Sequence, residues 1–166
     1  MLALHAGTTS AELQLPQCQR YPFYAMSEPA IREANIADVE SVLPLVEEFV
    51  TSFAVDCETF RTSFQKLIVD DSALVLVAEA EGSLVAYCLG FVHDTFYANG
   101  PVAWLEEIMV KEGHRRSGLG GRLMEAFEVW AKQKGAILSA LSTRRAASFY
   151  EAIGYEESAT YYRRLL

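Results

Sequence analysis

The chain has 166 residues, 51% of them hydrophobic and 22% charged, with 10 Gly and 5 Pro. That is the length of one ordinary domain, able to bury roughly two-thirds of its unfolded surface, and the composition excludes disordered and collagen-like classes. No apolar run approaches the ~20 residues that cross a bilayer, so no membrane partner is expected. Net charge is −8, divided unevenly. Residues 1–110 hold 16 acidic and 4 basic side chains, a balance of −12; residues 111–166 hold 6 and 10, a balance of +4. An acidic chain without a basic stripe makes no case for nucleic acid. Its split suits two small ligands of opposite sign.

The first 25 residues lack the basic start and long apolar run of a secretory signal. Residues 1–27 are expected to be an extension, partly ordered at best, before a domain at 28–166. Cys18, Cys57 and Cys88 are odd in number and far apart. They form neither a disulfide framework nor a CxxC pair, which points to a reducing, cytoplasmic setting. His5, His93 and His114 are equally scattered, so no built-in metal site is expected.

Ile31–Ala34 reads as an opening strand, and Asn35 or Asp38 can cap the helix after it. In that helix Val42, Leu45, Val46, Phe49 and Val50 recur at three- and four-residue spacing, with Pro44 expected to kink it. Phe60, Phe64, Leu67 and Ile68 mark a second amphipathic helix over 58–69. The period then changes. Residues 73–78 form a continuous apolar run, a buried strand, followed by a turn at Glu81-Gly82-Ser83. A long strand over 84–92 contains Gly90, where a bend or bulge is expected. A loop at 94–100 leads to a strand at 102–110. After a glycine-rich turn at 113–121 come a helix at 123–134, a strand at 136–141, a short helix at 146–152 and a closing strand at 160–166. No linker or repeat divides this order, which specifies one α/β domain with a mixed sheet.

The run Arg115-Arg-Ser-Gly118-Leu-Gly120-Gly121 lies between a strand and a helix. Gly118, Gly120 and Gly121 remove side chains from the first helical turn, so backbone N–H groups can close on a phosphate. The helix dipole and Arg115 and Arg116 add positive charge. A Walker A loop would need Gly-Lys-Ser/Thr, which does not occur. A dinucleotide fingerprint fails because Leu123 stands where its third glycine belongs. What remains is Arg-x-x-Gly-x-Gly, residues 115–120.

That segment resembles motif A of the GNAT superfamily of acyl-CoA-dependent N-acetyltransferases. IREANIAD at 31–38 resembles the family's opening strand and helix start, and residues 104–110 resemble its fourth strand. Residues 146–155 resemble its late A-x-x-F/Y-Y-x-x-x-G-F/Y segment. The resemblance covers residues 30–166. It implies a mixed, mostly antiparallel central sheet flanked by helices, with acetyl-CoA as cosubstrate. Backbone groups of Ile108, Met109 and Val110 would pair with the pantetheine arm. The stretch Arg115, Arg116, Ser117, Gly118, Leu119, Gly120 and Gly121 would hold the pyrophosphate. One departure is Thr143, where the family often has an Asn that contacts pantetheine.

Acetyl transfer from a thioester to an amine needs a base for the ammonium proton and an acid for the thiolate. Glu106 and Glu107 are adjacent on a strand, so alternation sends one toward the cleft unless a bulge intervenes. The resemblance favours Glu106 as base, direct or through water, and Tyr150 as acid. Cys88 shows no paired His, and no Gly-x-Ser-x-Gly elbow occurs, which leaves direct transfer in a ternary complex. Residues 93–107 are similar to the diamine and spermidine/spermine branch, with Trp104 and Glu107 replacing its Tyr and Asp. Asp94, Glu106 and Glu107 would suit a small cationic amine, polyamine or lysine-like. A peptide or protein amine, or a non-catalytic acyl-CoA-binding module, are the alternatives. The closing strand could pair with a second copy, so a homodimer is expected.

Overall fold

The computed structural model describes residues 28–165. The expected extension over 1–27 lies outside the described residues. A five-stranded sheet runs in the order β1 (Ala30–Glu33), β2 (Ala73–Ala80), β3 (Ser83–His93), β4 (Val102–Val110) and β5 (Leu138–Leu141). The first four strands are antiparallel neighbours and β5 joins β4 in parallel. Four helices flank it: α1 (Val39–Phe49), α2 (Cys57–Leu67), α3 (Leu119–Gln133) and α4 (Ala147–Ala152). The expected mixed, mostly antiparallel α/β domain is thus observed.

The sheet separates two cores. Val42, Leu45 and Phe64 of α1 and α2 pack on Val75, Val77, Leu84, Tyr87 and Met109. Leu119, Leu123, Met124, Phe127 and Tyr150 of α3 and α4 pack on Leu74, Leu76, Cys88, Ala103 and Leu105. Because both faces of β2 are covered, its sequence is a continuous apolar run rather than an alternating one. Between β2 and β3, Glu81 (φ 51°) and Gly82 (φ 75°) are both left-handed. This is the two-residue loop whose twist matches a hairpin.

Several boundaries differ from the sequence expectation. Asn35 caps a short 3-10 turn (Ile36–Asp38): its side chain accepts from Ala37 N, and Asp38 in return accepts from Asn35 N. Pro44 does not interrupt α1. It sits on the exposed side, where the carbonyl it leaves unbonded can meet water. Helix α3 starts a full turn early, drawing Gly120 and Gly121 into its first turn. Its other end closes with Gly135 (φ 81°), whose N–H bonds Lys132 O, while Ala136 N bonds Ala131 O. That cap uses Ala136, so β5 begins at Leu138 rather than 136.

The expected closing strand is not formed. Residues 155–165 have no regular structure, and Leu166 lies outside the described residues. Tyr161, Tyr162 and Leu165 are exposed. Among the described residues no backbone hydrogen bond ties 156–165 to the sheet. The pairs Tyr-Tyr, Arg-Arg and Leu-Leu also lack the alternation that would give a strand one buried face.

Candidate active site

Strand β4 carries one extra residue. Leu89 pairs with Glu107 but the next residue, Gly90, pairs with Leu105, so Glu106 is bulged out of the ladder. The bulge reverses the strand's parity. Leu105 and Ile108 are three apart, yet both pack into the core under α3. The simple alternation expected for Glu106 and Glu107 therefore does not hold. Glu107 shares the α1–α2 side with Tyr87, whose hydroxyl donates to its Oε2 at 2.7 Å. Glu106 is exposed and accepts from Trp104 Nε1 at 3.0 Å. Gly90 is needed opposite: a Cβ there would lie 2.4 Å from the Phe127 ring and 3.1 Å from Trp104 O.

The bulge also marks where β4 and β5 part. They pair only from Val102 with Leu138 to Leu105 with Leu141. From Glu106 to Val110, β4 pairs with no described strand but β3, which leaves its other edge unpaired by strand. Ile108 and Val110 turn their backbone N–H and C=O groups to this open edge, where Arg115 Nε already donates to Val110 O. Met109 is buried opposite Tyr87 in a hydrogen-bonded pair, so its backbone groups face β3 and not the open edge.

Burial pushes the Glu107 carboxyl above its ordinary value; the Tyr87 hydrogen bond opposes this and the Glu106 charge adds to it. Among the described residues, neither Glu106 nor Glu107 has a cationic partner. Arg32, Arg61, Arg115 and Arg122 are paired with other carboxylates. Asp94 is not brought to this pair. It follows His93, which pairs with Val102, four residues (about 13 Å) along β4 from Glu106.

At the other end of β4, a 3-10 turn (Glu112–His114) leads into α3. Arg116 (φ 60°) and Gly118 (φ 84°) are left-handed, and Gly118 is the N-cap. No side chain caps this helix. The amides of Leu119, Gly120 and Gly121 therefore have no partner within it, which makes a cradle for an anion. The Leu119 side chain is buried and anchors the turn. A Cβ on Gly120 would press on the Phe149 ring at 3.3 Å, so a side chain there would have to displace that ring. Ser117 Oγ donates to His114 O at 2.6 Å, bracing the turn. Arg115 is directed away from the cradle: its Nε donates to Val110 O at 2.7 Å and its NH2 lies 3.4 Å from Glu48. Arg116 is exposed and takes no carboxylate among the described residues.

Tyr150 stands on α4, 7% exposed, against Phe149 and Tyr155 with ring centroids 5.0 and 5.9 Å away. Burial pushes its hydroxyl up to about 12. That hydroxyl has no hydrogen bond among the described residues, and no sealed-off side-chain oxygen there lacks a partner. It therefore keeps some exposure to solvent. Tyr155 instead donates to Glu128 and meets Ser139 Oγ. Thr143 Oγ1 accepts from Ala146 N at 3.1 Å, bracing the start of α4. Cys88 is fully buried, and burial holds its thiol up at about 12, far from a reactive thiolate. Sequence reasoning missed Tyr87. Its signal was a lone phenol in a mostly apolar strand, but its partner emerges only from the bulged register.

The sequence profile of the Acetyltransferase (GNAT) family matches residues 41–155, more than half of the chain. The chain belongs to this family. This GNAT protein is 27% identical over 133 residues to an uncharacterized N-acetyltransferase, YhfO, of Bacillus subtilis, covering 76% of this chain and 89% of that one. It is 31% identical over 109 residues to an aminoglycoside N(6')-acetyltransferase type 1 of Acinetobacter genomosp. 13, covering 61% and 75%. Its fold matches glucosamine-6-phosphate N-acetyltransferase from Arabidopsis thaliana with a TM-score of 0.73 at 22% identity, covering 82% and 97%. The protein is an acetyl-CoA-dependent N-acetyltransferase. Acetyl-CoA supplies an activated acyl group, and the residues present fit it: uncapped amides for the diphosphate and an open strand edge for its amide-bearing arm. No described helix is long and apolar enough to cross a membrane. No cluster of His, Cys, Asp or Glu among the described residues could hold a metal ion.

Proposed function

We propose that this enzyme acetylates a primary amine on a small cationic acceptor, by direct transfer in a ternary complex, and that residues 28–166 form the catalytic unit. The observation that carries this reading is the pair Glu106 and Glu107 beside the open edge of β4, both without a cationic partner among the described residues. Two adjacent uncompensated carboxylates favour an incoming cation. Polyamines, lysine-like amines and amino sugars all meet that requirement. The aminoglycoside acetyltransferase among the relatives is named for a substrate of this kind. Asp94, on the loop after β3, would extend the acidic approach.

In this reading the outward backbone groups of Ile108 and the N–H of Val110 pair with the donor's arm, while Met109 holds the strand to β3. The amides from Arg115 to Gly121 hold its diphosphate, with Arg116 free to approach and Arg115 bracing the strand end. Tyr150 returns a proton to the departing thiolate. A carboxylate at the bulge accepts the amine's proton, and the family resemblance points to Glu106. The buried, unreactive Cys88 supports direct transfer over a covalent relay. Exposed Tyr161, Tyr162 and Leu165 support a homodimer, and unpaired Cys57 and Cys88 support a cytoplasmic setting.

Mass spectrometry after incubation with acetyl-CoA and a mixed panel tests the proposal. The panel holds spermidine, putrescine, lysine analogues, neamine and short peptides. Acetylated polyamine, lysine analogue or neamine is the expected result. Acetylation of peptides alone overturns the acceptor class.

A further inference from the structure

Strand β3 presents Leu84, Tyr87 and Leu89 to the layer of α1 and α2, and Tyr87 alone among them is polar. It is 2% exposed, with its ring edge-on to Phe49 at 6.2 Å. A phenol buried this deeply needs a hydrogen-bond partner, and the partner is Glu107 Oε2 at 2.7 Å. Glu107 is in turn half-buried and lacks any Arg, Lys or His within ion-pair range among the described residues. The side chains that α1 and α2 contribute to this core are apolar: Val42, Leu45, Phe49, Phe60 and Phe64 among them. The titratable groups acting on Glu107 are Tyr87 and Glu106. Glu106 differs in kind, being exposed and tied to the Trp104 indole.

We infer that Glu107, in place of the Glu106 that the family resemblance favours, takes the acceptor amine's proton, and that Tyr87 is the positioning residue that aims its carboxylate. This rests on the proposed transfer to a cationic amine. Glu106 then holds the approaching cation at the mouth. The alkylammonium gives one proton to Glu107, and its freed lone pair attacks the thioester carbonyl carbon. A C–N bond forms and the C–S bond breaks. The second nitrogen-bound proton passes through Tyr150 to the departing sulfur, and Glu107 later releases its proton to solvent. The products are an acetamide, a free thiol and one proton. The Tyr87 hydroxyl holds the Glu107 carboxylate in place at 2.7 Å, and burial raises its pKa toward that of an ammonium group.

Three variants test this, each checked for an unchanged melting profile: Glu107→Gln, Glu106→Gln and Tyr87→Phe. With spermidine or neamine as acceptor, Glu107→Gln is expected to lower kcat about 100-fold and to erase the acidic limb of the kcat/KM profile. Tyr87→Phe removes a hydrogen bond that favours the carboxylate, so that limb moves to higher pH. Glu106→Gln removes a repelling charge, so the limb is retained but moves to lower pH, and KM rises. Loss of kcat in Glu106→Gln with a retained limb in Glu107→Gln overturns the assignment. Carbon-13 NMR titration of the Glu107 carboxyl in the free protein needs no acceptor. It is expected to move up in Tyr87→Phe and down in Glu106→Gln, and an unmoved titration in Tyr87→Phe overturns the positioning role. If nothing in the panel is acetylated, the acceptor class falls, while the NMR titration still decides between Tyr87 as positioning residue and as filler.

Discussion

Tyr150 joins two properties that rarely coincide in a core residue: a packed ring and an unclaimed hydroxyl. Tyr150→Phe keeps the ring and deletes the proton. The expected result is a kcat about 100-fold lower with an unchanged dissociation constant for acetyl-CoA, read by steady-state kinetics and calorimetry. Wild-type kcat would remove Tyr150 from the chemistry. Asp38 is the opposite kind of buried polar residue, fully claimed. Its carboxylate accepts from Arg32 at 2.7 and 2.8 Å and from Asn35 N at 2.8 Å. The Arg32 hydrogen bonds, helped by that from Asn35, hold its pKa below 3.8. A folded-state pKa below the unfolded one adds stability above the unfolded value and loses it as pH falls through the folded one. Asp38→Ala is therefore expected to lose about 2 kcal/mol at neutral pH, a moderate figure because Arg32 is partly solvated. The gap to wild type should narrow as denaturation is repeated below pH 3.8.

Among the elements, the bulged β4 depends on a glycine in its neighbour. Gly90→Ala places a methyl group 2.4 Å from the Phe127 ring and 3.1 Å from a β4 carbonyl. We expect a loss of about 2–3 kcal/mol in denaturant midpoints, with activity falling further as the carboxylates move. Wild-type stability would mean that Phe127 can retreat. The position of Gly90 in a strand signalled an irregularity, but not that the extra residue sits opposite, at Glu106. That limit is physical, because a bulge is a property of two strands in register and neither strand's sequence contains the pairing. The strands, α1 and α2 were legible because their apolar periods are long. The early start of α3 was not, because Gly120 and Gly121 are poor helix formers, tolerated here by the packing of Phe149. The closing strand was misread from its aromatic and aliphatic content alone. The glycine turn was legible from composition and context; Arg115's engagement with Val110 and Glu48 was not, since those partners converge only in the folded chain.

For the whole molecule, the uncapped N-terminus of α3 is a region the fold leaves unsatisfied until ligand arrives. Acetyl-CoA at 100 times its dissociation constant should add about 2.7 kcal/mol, a rise in melting temperature of roughly 5–10 °C. Gly120→Glu should melt with no such rise, because its side chain meets Phe149 and carries negative charge into the cradle. A retained rise in that variant would refute the cradle. The bulge has a further consequence at this scale. Strand β4 is the seam between two cores, and one residue of extra length decides which core each later side chain enters. Deleting Glu106 would restore strict alternation and turn Ile108 and Val110 out of the α3 layer while Met109 left the α1 layer. Lineages descended from such a fold should accept many exchanges of side chain along this strand and almost no change in its length.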